Sequence, residues 1–186
     1  MGSGAGNDAF VALRIVGETG RVIGVDMTEA MIEKANENKS KLGFDNVDFL
    51  LGEIENLPIK NATVNVAVSN CVMNLVPNKL KAYEEVYRVL TKDGYFSISD
   101  IVMNGELPSG IRNAAEMYAG CISGALGREE YISTISEAGF KNIEVVKERE
   151  IVLPDALLLQ YISQPELEEY RKSKSAILSI TILAEK

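Results

Sequence analysis

The sequence contains no histidine and only two cysteines, Cys71 and Cys121. The first absence removes every nucleophile activated by an imidazole, whether Ser-His-Asp or Cys-His, and every Cys₂His₂ zinc site. The second removes a Cys₄ cluster and a secreted-type disulfide framework. Positive charge is not in excess either: 27 acidic residues face 19 basic ones, for a net charge of −8. A protein that tracks phosphates along nucleic acid needs a basic face, so no nucleic-acid partner is expected. No run of about 18 apolar residues is present, and no spanning helix or membrane association of that kind is expected. The N-terminus lacks a basic segment followed by an apolar one, so no secretory signal is read there. A reducing cytoplasm is the expected compartment. Both cysteines are then thiols, either buried as packing residues or used chemically.

What is present is an ordinary globular composition, 46% hydrophobic and 25% charged over 186 residues. That is enough for one domain, 1–186, with a buried core. Apolar runs over 21–26, 47–53, 64–70, 94–102, 142–149 and 176–184 predict strands. Several are apolar almost throughout, as in the buried centre of a parallel sheet. Helices are predicted over 7–16, with Phe10, Leu13 and Ile15 as its apolar residues, and over 28–41, with Thr28 as its cap. A third, over 78–90, places Leu80, Tyr83, Val86 (or Tyr87) and Leu90 on one face, with Asp93-Gly94 closing it. Two more cover 129–138, ended by Gly139, and 165–174. The alternation predicts an α/β fold with a doubly wound, mostly parallel sheet. Residues 103–127 stand out as a long insertion after the fourth strand, a position that commonly carries substrate specificity.

Gly2-Ser3-Gly4-Ala5-Gly6 runs directly into the first helix. Such a turn lets backbone approach a ligand closely and aims amide groups at it. A flexible linker would read the same way in isolation. Asp26, however, lies 20 residues after Gly6 at the end of an apolar strand. A doubly wound domain places there the carboxylate that accepts from ribose hydroxyls; the alternative is a plain turn former at a strand end. The loop reads G-x-G-x-G where dinucleotide folds read G-x-G-x-x-G. With the strand at Gly94, it resembles the Rossmann-like class I S-adenosylmethionine (SAM) methyltransferases. In that superfamily an acid and an apolar residue just past the third strand face the adenine, and LGEIENLP puts Glu53 and Ile54 there. The resemblance implies a SAM site formed by Gly2, Ser3, Gly4, Gly6, Asp26, Met27, Glu53, Ile54 and Asn70. Without it, Glu53 reads as a solvated turn acid and Ile54 as core. Asn70 and Asn74 either shape the SAM pocket or cap the turn that follows.

The resemblance narrows at Ser69-Asn70-Cys71-Val72-Met73-Asn74-Leu75 and Tyr118-Ala119-Gly120-Cys121. Together with GVDMTEAMIEKA before them, these are similar to the arsenite SAM-dependent methyltransferases, through about Glu148 and again in the closing ILSITILAEK. What this implies is transfer of a methyl group from SAM to trivalent arsenic, arsenite or methylarsenite, held as substrate by the thiolates of Cys71 and Cys121. Trivalent arsenic is soft, and thiolates are natural ligands of soft centres. The nucleophile is a lone pair on arsenic, so no general base is required, and positioning supplies much of the rate. The family chemistry also implies a small-molecule thiol or thioredoxin-type reductant as partner. A Cys71–Cys121 disulfide is the alternative state of the pair. No resident metal ion is implied.

The family pattern places a helical region, a first strand and often a third cysteine before the glycine loop. Here the sequence starts inside the loop, so that strand is expected to be missing from between 21–26 and 64–70, leaving two buried edges unpaired. A fragment, a natural short form, and a homo-oligomer in which another subunit supplies the edge all fit this. Two other functions stay open. One is a quinone-type methyltransferase acting on a carbon or oxygen acceptor, which needs no thiol pair. The other is a noncatalytic protein that binds an arsenical or assembles with itself.

Overall fold

The computed structural model describes residues 1–118, 122 and 124–186. Helix α1 (Asn7–Val16) leads to strand β1 (Val22–Asp26), α2 (Glu29–Leu42), β2 (Val47–Leu51) and β3 (Val64–Asn70). A short 3₁₀ turn at Met73–Leu75 precedes α3 (Lys79–Val89) and β4 (Leu90–Asn104). Then come α4 (Ser109–Tyr118), α5 (Arg128–Glu137), β5 (Lys141–Glu150), α6 (Asp155–Leu158), α7 (Gln164–Lys172) and β6 (Ala176–Glu185).

The α/β alternation holds. β1 and β2 form one parallel pair, and a second sheet has the order β3-β4-β6-β5. β3 runs parallel to β4, while β6 lies antiparallel to both β4 and β5. Residues 1–3 pass between β1 and β3. The amino group of Met1 donates to the carbonyl of Val68 (2.7 Å), and the Ser3 amide donates to that of Val25 (3.0 Å). These few residues link the two sheets at the place where a central strand was expected.

Helices cover both faces of β4. Its alternate residues Phe96, Ile98 and Val102 share a core with Tyr83 and Val86 of α3 and with Tyr131 and Ile135 of α5. Ile101 and Met103, on the other face, pack with Ile111 of α4, Leu158 of α6 and Tyr170 of α7. A third core joins Phe10 and Leu13 of α1, Ala35 of α2, and Val47 and Phe49 of β2. Among the described residues no helix is long and apolar enough to cross a membrane.

Several boundaries differ from the sequence expectation, each for a local reason. Ile15 is 81% exposed, not part of the apolar face; it lies about 200° around the helix from Leu13. Thr28 makes no side-chain cap to α2; its backbone carbonyl accepts from the Met31 (3.0 Å) and Ile32 (3.1 Å) amides instead. α3 ends at Val89, and its face consists of Ala82, Tyr83, Val86 and Val89. Leu90 already belongs to β4, so Asp93-Gly94 lies inside that strand and does not close the helix. β2 stops at Leu51, just before the tight turn at 53–56, with the Gly52 amide still donating to the Asp26 carbonyl (3.0 Å). The insertion begins as strand and then forms α4. α7 starts with a capping box between Ser163 and Glu166 and with Pro165 in its first turn.

Candidate active site

The candidate residues collect at the C-terminal ends of β1, β2 and β3, the edge where open α/β sheets bind ligands. The glycine loop is held open by left-handed backbone: φ is +61° at Gly2, +49° at Gly4 and +95° at Gly6. Space forces glycine at two of these positions. A Cβ on Gly2 would overlap the side chain of Val72, and one on Gly6 would stand 2.8 Å from the rings of Phe10 and Phe49. Beside Gly4 there is open space, so its backbone conformation, not crowding, favours glycine there. The Gly6 amide closes the turn onto the Ser3 carbonyl (2.8 Å).

Asp26 organises this loop. Its Oδ2 accepts from the Gly4 amide (2.9 Å) and its Oδ1 from the Thr28 amide (3.0 Å). A carboxylate offers about four lone-pair sites, so acceptor capacity remains for two ribose hydroxyls. The Ser3 hydroxyl is buried without a hydrogen-bond partner among the described residues. A cradle of left-handed glycines, a half-buried carboxylate and an orphaned hydroxyl fit a polar nucleoside with a charged tail. Met27 is 74% exposed at the rim. Glu53 is exposed on the tight turn where Asn56 donates to its carbonyl (3.1 Å), and Ile54 packs at the edge of the main core.

Asn70 is exposed at the end of β3. Cys71 follows, half-buried, with φ +55°, an uncommon value for a residue with a Cβ. Its amide donates to the Ser99 carbonyl of β4 (2.8 Å). The turn that follows is fastened at Asn74, whose amide donates to Asp100 Oδ2 (3.0 Å) and whose side-chain amide donates to the Ile101 carbonyl (2.7 Å). Lys79 Nζ donates to the carbonyls of Asn74 (3.1 Å) and Val76 (3.2 Å). The far end of the insertion reaches the same place: a Cβ on Gly124 would fall 2.6 Å from the Asn74 carbonyl oxygen. Cys121 lies outside the described residues.

The structure thus brings Gly2, Ser3, Gly4, Gly6, Asp26 and the Cys71 turn to one edge, with Glu53 and Ile54 one turn beyond Asp26. Asn74 is drawn inward to β4, so it organises the turn rather than facing a ligand. Two residues that sequence reasoning passed over, Asp100 and Tyr131, lie beneath that turn. Burial pushes the Asp100 carboxyl up to about 6, against the lowering effect of hydrogen bonds from Ile101, Tyr131 and Asn74. Their one signal is an acid placed in the apolar row of β4. Among the described residues no three acids or cysteines converge as a metal site.

Comparison with known proteins agrees with this geometry. An arsenite methyltransferase of Halobacterium salinarum is 43% identical over 150 residues, covering 81% of this chain and 38% of that protein. The human arsenite methyltransferase is 40% identical over 149 residues, covering 75% of this chain and 40% of that one. The chain therefore spans about two fifths of the curated relatives it matches. An arsenic(III) S-adenosylmethionine methyltransferase of Chlamydomonas reinhardtii superposes with a TM-score of 0.80 at 33% identity, covering all of this chain and 62% of that one. The YcgJ protein of Bacillus subtilis shares the fold, with a TM-score of 0.77 at 20% identity over 89% of its length. The methyltransferase-domain family model matches residues 1–139. The chain belongs to that family and has the class I SAM-dependent methyltransferase fold.

Proposed function

We propose that this chain is the SAM-binding catalytic part of a methyltransferase that acts on trivalent arsenic, held as substrate by the thiolates of Cys71 and Cys121. The observation that carries this reading is the packing of Gly2 against Val72. It sets the donor-binding loop directly against the residue that follows Cys71.

SAM would supply a methyl group activated on a sulfonium, with S-adenosylhomocysteine as the leaving group. The glycine loop offers backbone amides without side chains in the way, and Asp26 orients the ribose through its remaining lone pairs. Glu53 and Ile54 frame the adenine. The Cys71 turn presents a thiolate beside the loop, so that arsenic is held with its lone pair toward the methyl carbon. Formation of the As–C bond takes that lone pair and breaks the S–CH₃ bond, so arsenic goes from the trivalent to the pentavalent state. A small-molecule thiol or thioredoxin-type protein then returns two electrons for a further round. A reducing cytoplasm would keep both cysteines ready for this.

The test uses calorimetry with SAM and a methylation assay with methylarsenite and glutathione. Wild type should bind SAM saturably. Cys71→Ser and Cys121→Ser should each abolish arsenical methylation while SAM affinity stays within about twofold. Full activity in both single variants would remove the arsenic assignment.

A further inference from the structure

Strand β4 carries one charged residue in an otherwise apolar row. Phe96, Ile98, Asp100 and Val102 alternate along the face that packs on α3 and α5, and Asp100 is only 1% exposed. A carboxylate in such a place is costly, and an apolar residue would fill the row more cheaply. Its surroundings show what it holds. Oδ1 accepts from the Ile101 amide (3.0 Å) on its own strand. Oδ2 accepts from the Asn74 amide (3.0 Å) in the turn after β3 and from the Tyr131 hydroxyl (3.2 Å) on α5. Tyr131 is fixed in turn by its edge contact with Tyr83 of α3, with ring centroids 6.0 Å apart at 87°.

The same stretch of β4 grips both ends of one short turn. The Ser99 carbonyl takes the Cys71 amide, while Asp100 and the Ile101 carbonyl take Asn74. At the first of those anchors Cys71 keeps its left-handed backbone, a conformation that persists only where the surroundings over-determine it.

We infer that Asp100 is the positioning residue for the Cys71 thiol: its buried carboxylate holds the 71–76 turn down on β4 and so fixes the thiol beside the glycine loop. This rests on the reading of Cys71 as an arsenic ligand. Asp100 touches neither substrate nor SAM and acts through Asn74. Asparagine is no substitute. Whichever way its amide is turned, its NH₂ faces the amide of either Ile101 or Asn74, donor against donor.

The experiment compares wild type, Asp100→Asn and Tyr131→Phe, all as the full chain. Amide exchange of the 71–76 segment is followed by mass spectrometry, and Cys71 alkylation by iodoacetamide is timed in a Cys121→Ser background. In D100N, exchange in 71–76 should accelerate about tenfold and Cys71 alkylation roughly threefold, the scale expected for losing a charge-assisted hydrogen bond. SAM affinity should stay at wild-type level, and arsenical methylation should lose kcat without a change in the KM for SAM. If D100N does not fold, Y131F removes a single donor and should move the same two loop readouts in the same direction by less. Wild-type exchange and alkylation in D100N, or in Y131F when D100N does not fold, would overturn the assignment. A failure of the arsenic reading is distinguishable, because wild type would then lack arsenical methylation while the loop readouts still report on Asp100.

Discussion

Gly2 lies against Val72 with no room for a side chain between them: a Cβ on Gly2 would overlap Cγ2 of Val72 and come within 2.9 Å of its Cγ1. The donor loop and the thiol turn are therefore mechanically coupled. Gly2→Ala should strain a φ of +61° and displace Val72, and with it Cys71. The backbone penalty alone is about 1–2 kcal/mol. SAM affinity should fall at least about tenfold, with Cys71 alkylation altered in the same variant. Val72→Ala makes space, so the G2A/V72A double variant should recover part of the SAM affinity. A double-mutant cycle by calorimetry would give a coupling of about 0.5–3 kcal/mol, and additive losses would show that the two segments are independent.

Asp26, at the end of β1, accepts hydrogen bonds from the amide of Gly4 in the glycine loop and from that of Thr28 at the entry to α2. Asp26→Ala removes both of these as well as the acceptors proposed for ribose. Hydrogen bonds to a charged group contribute about 1.5–3 kcal/mol each, so SAM affinity should drop about 10- to 100-fold or more. Asp26→Asn keeps an acceptor for one amide and should fall between. Thermal unfolding should shift downward as well, because the Gly4 and Thr28 amides lose their acceptor in the unliganded protein too. Isothermal titration of the two variants ranks them.

How far the sequence announced this arrangement depends on whether a residue acts through its own segment or through a distant one. The glycine loop and Asp26 were legible because turn geometry and a strand end are local properties. The Phe10–Leu13 face and the apolar run of β4 were legible for the same reason. Thr28 misled because its backbone carbonyl, not its hydroxyl, takes the Met31 and Ile32 amides at the start of α2. α4 was hidden in a run rich in glycine and small residues, where tertiary packing of Ile111, Ala114 and Ala115 decides the outcome. Asp100 was legible only as an oddity in an apolar strand. Its meaning depends on Asn74, 26 residues earlier, and Tyr131, 31 later. No local pattern encodes that meeting.

The raised pKa of Asp100 has a consequence for stability. Its folded value of about 6 lies above the ordinary carboxylate value of 3.8, so the folded state binds this proton more tightly than the unfolded state. The contribution therefore favours folding at low pH and is lost as pH rises from about 4 through about 6; above that the buried charge costs about 3 kcal/mol at 1.36 kcal/mol per unit. Tyr131 and Tyr83 face the carboxyl with phenols that burial keeps neutral. Lys79 opposes the shift from α3, with Glu130 acting on Lys79 from α5. Urea titrations of wild type and Asp100→Asn between pH 4.5 and about 7.5 should show wild type losing stability relative to the variant as pH rises through the window. Parallel pH profiles would place the carboxyl in the ordinary range.

Cys71 combines its proposed role as an arsenic ligand with a backbone conformation suited to glycine, φ +55°. The two requirements can be separated by substitution. Cys71→Ser keeps the Cβ and therefore the left-handed strain, whereas Cys71→Gly relieves it. Each loses the thiol. Strain of this kind costs about 1–3 kcal/mol, while glycine adds about 0.5–1 kcal/mol of unfolded-state entropy to be lost on folding. Cys71→Gly should accordingly be more stable than Cys71→Ser by about 1 kcal/mol in urea unfolding, although both variants should be inactive toward methylarsenite. Equal stabilities would mean that the anchors at Ser99 and Asp100 impose no net strain on the thiol-bearing residue. The greater stability of the glycine variant would mean that the turn holds Cys71 in place at a measurable cost, as expected for a residue whose position serves chemistry rather than packing.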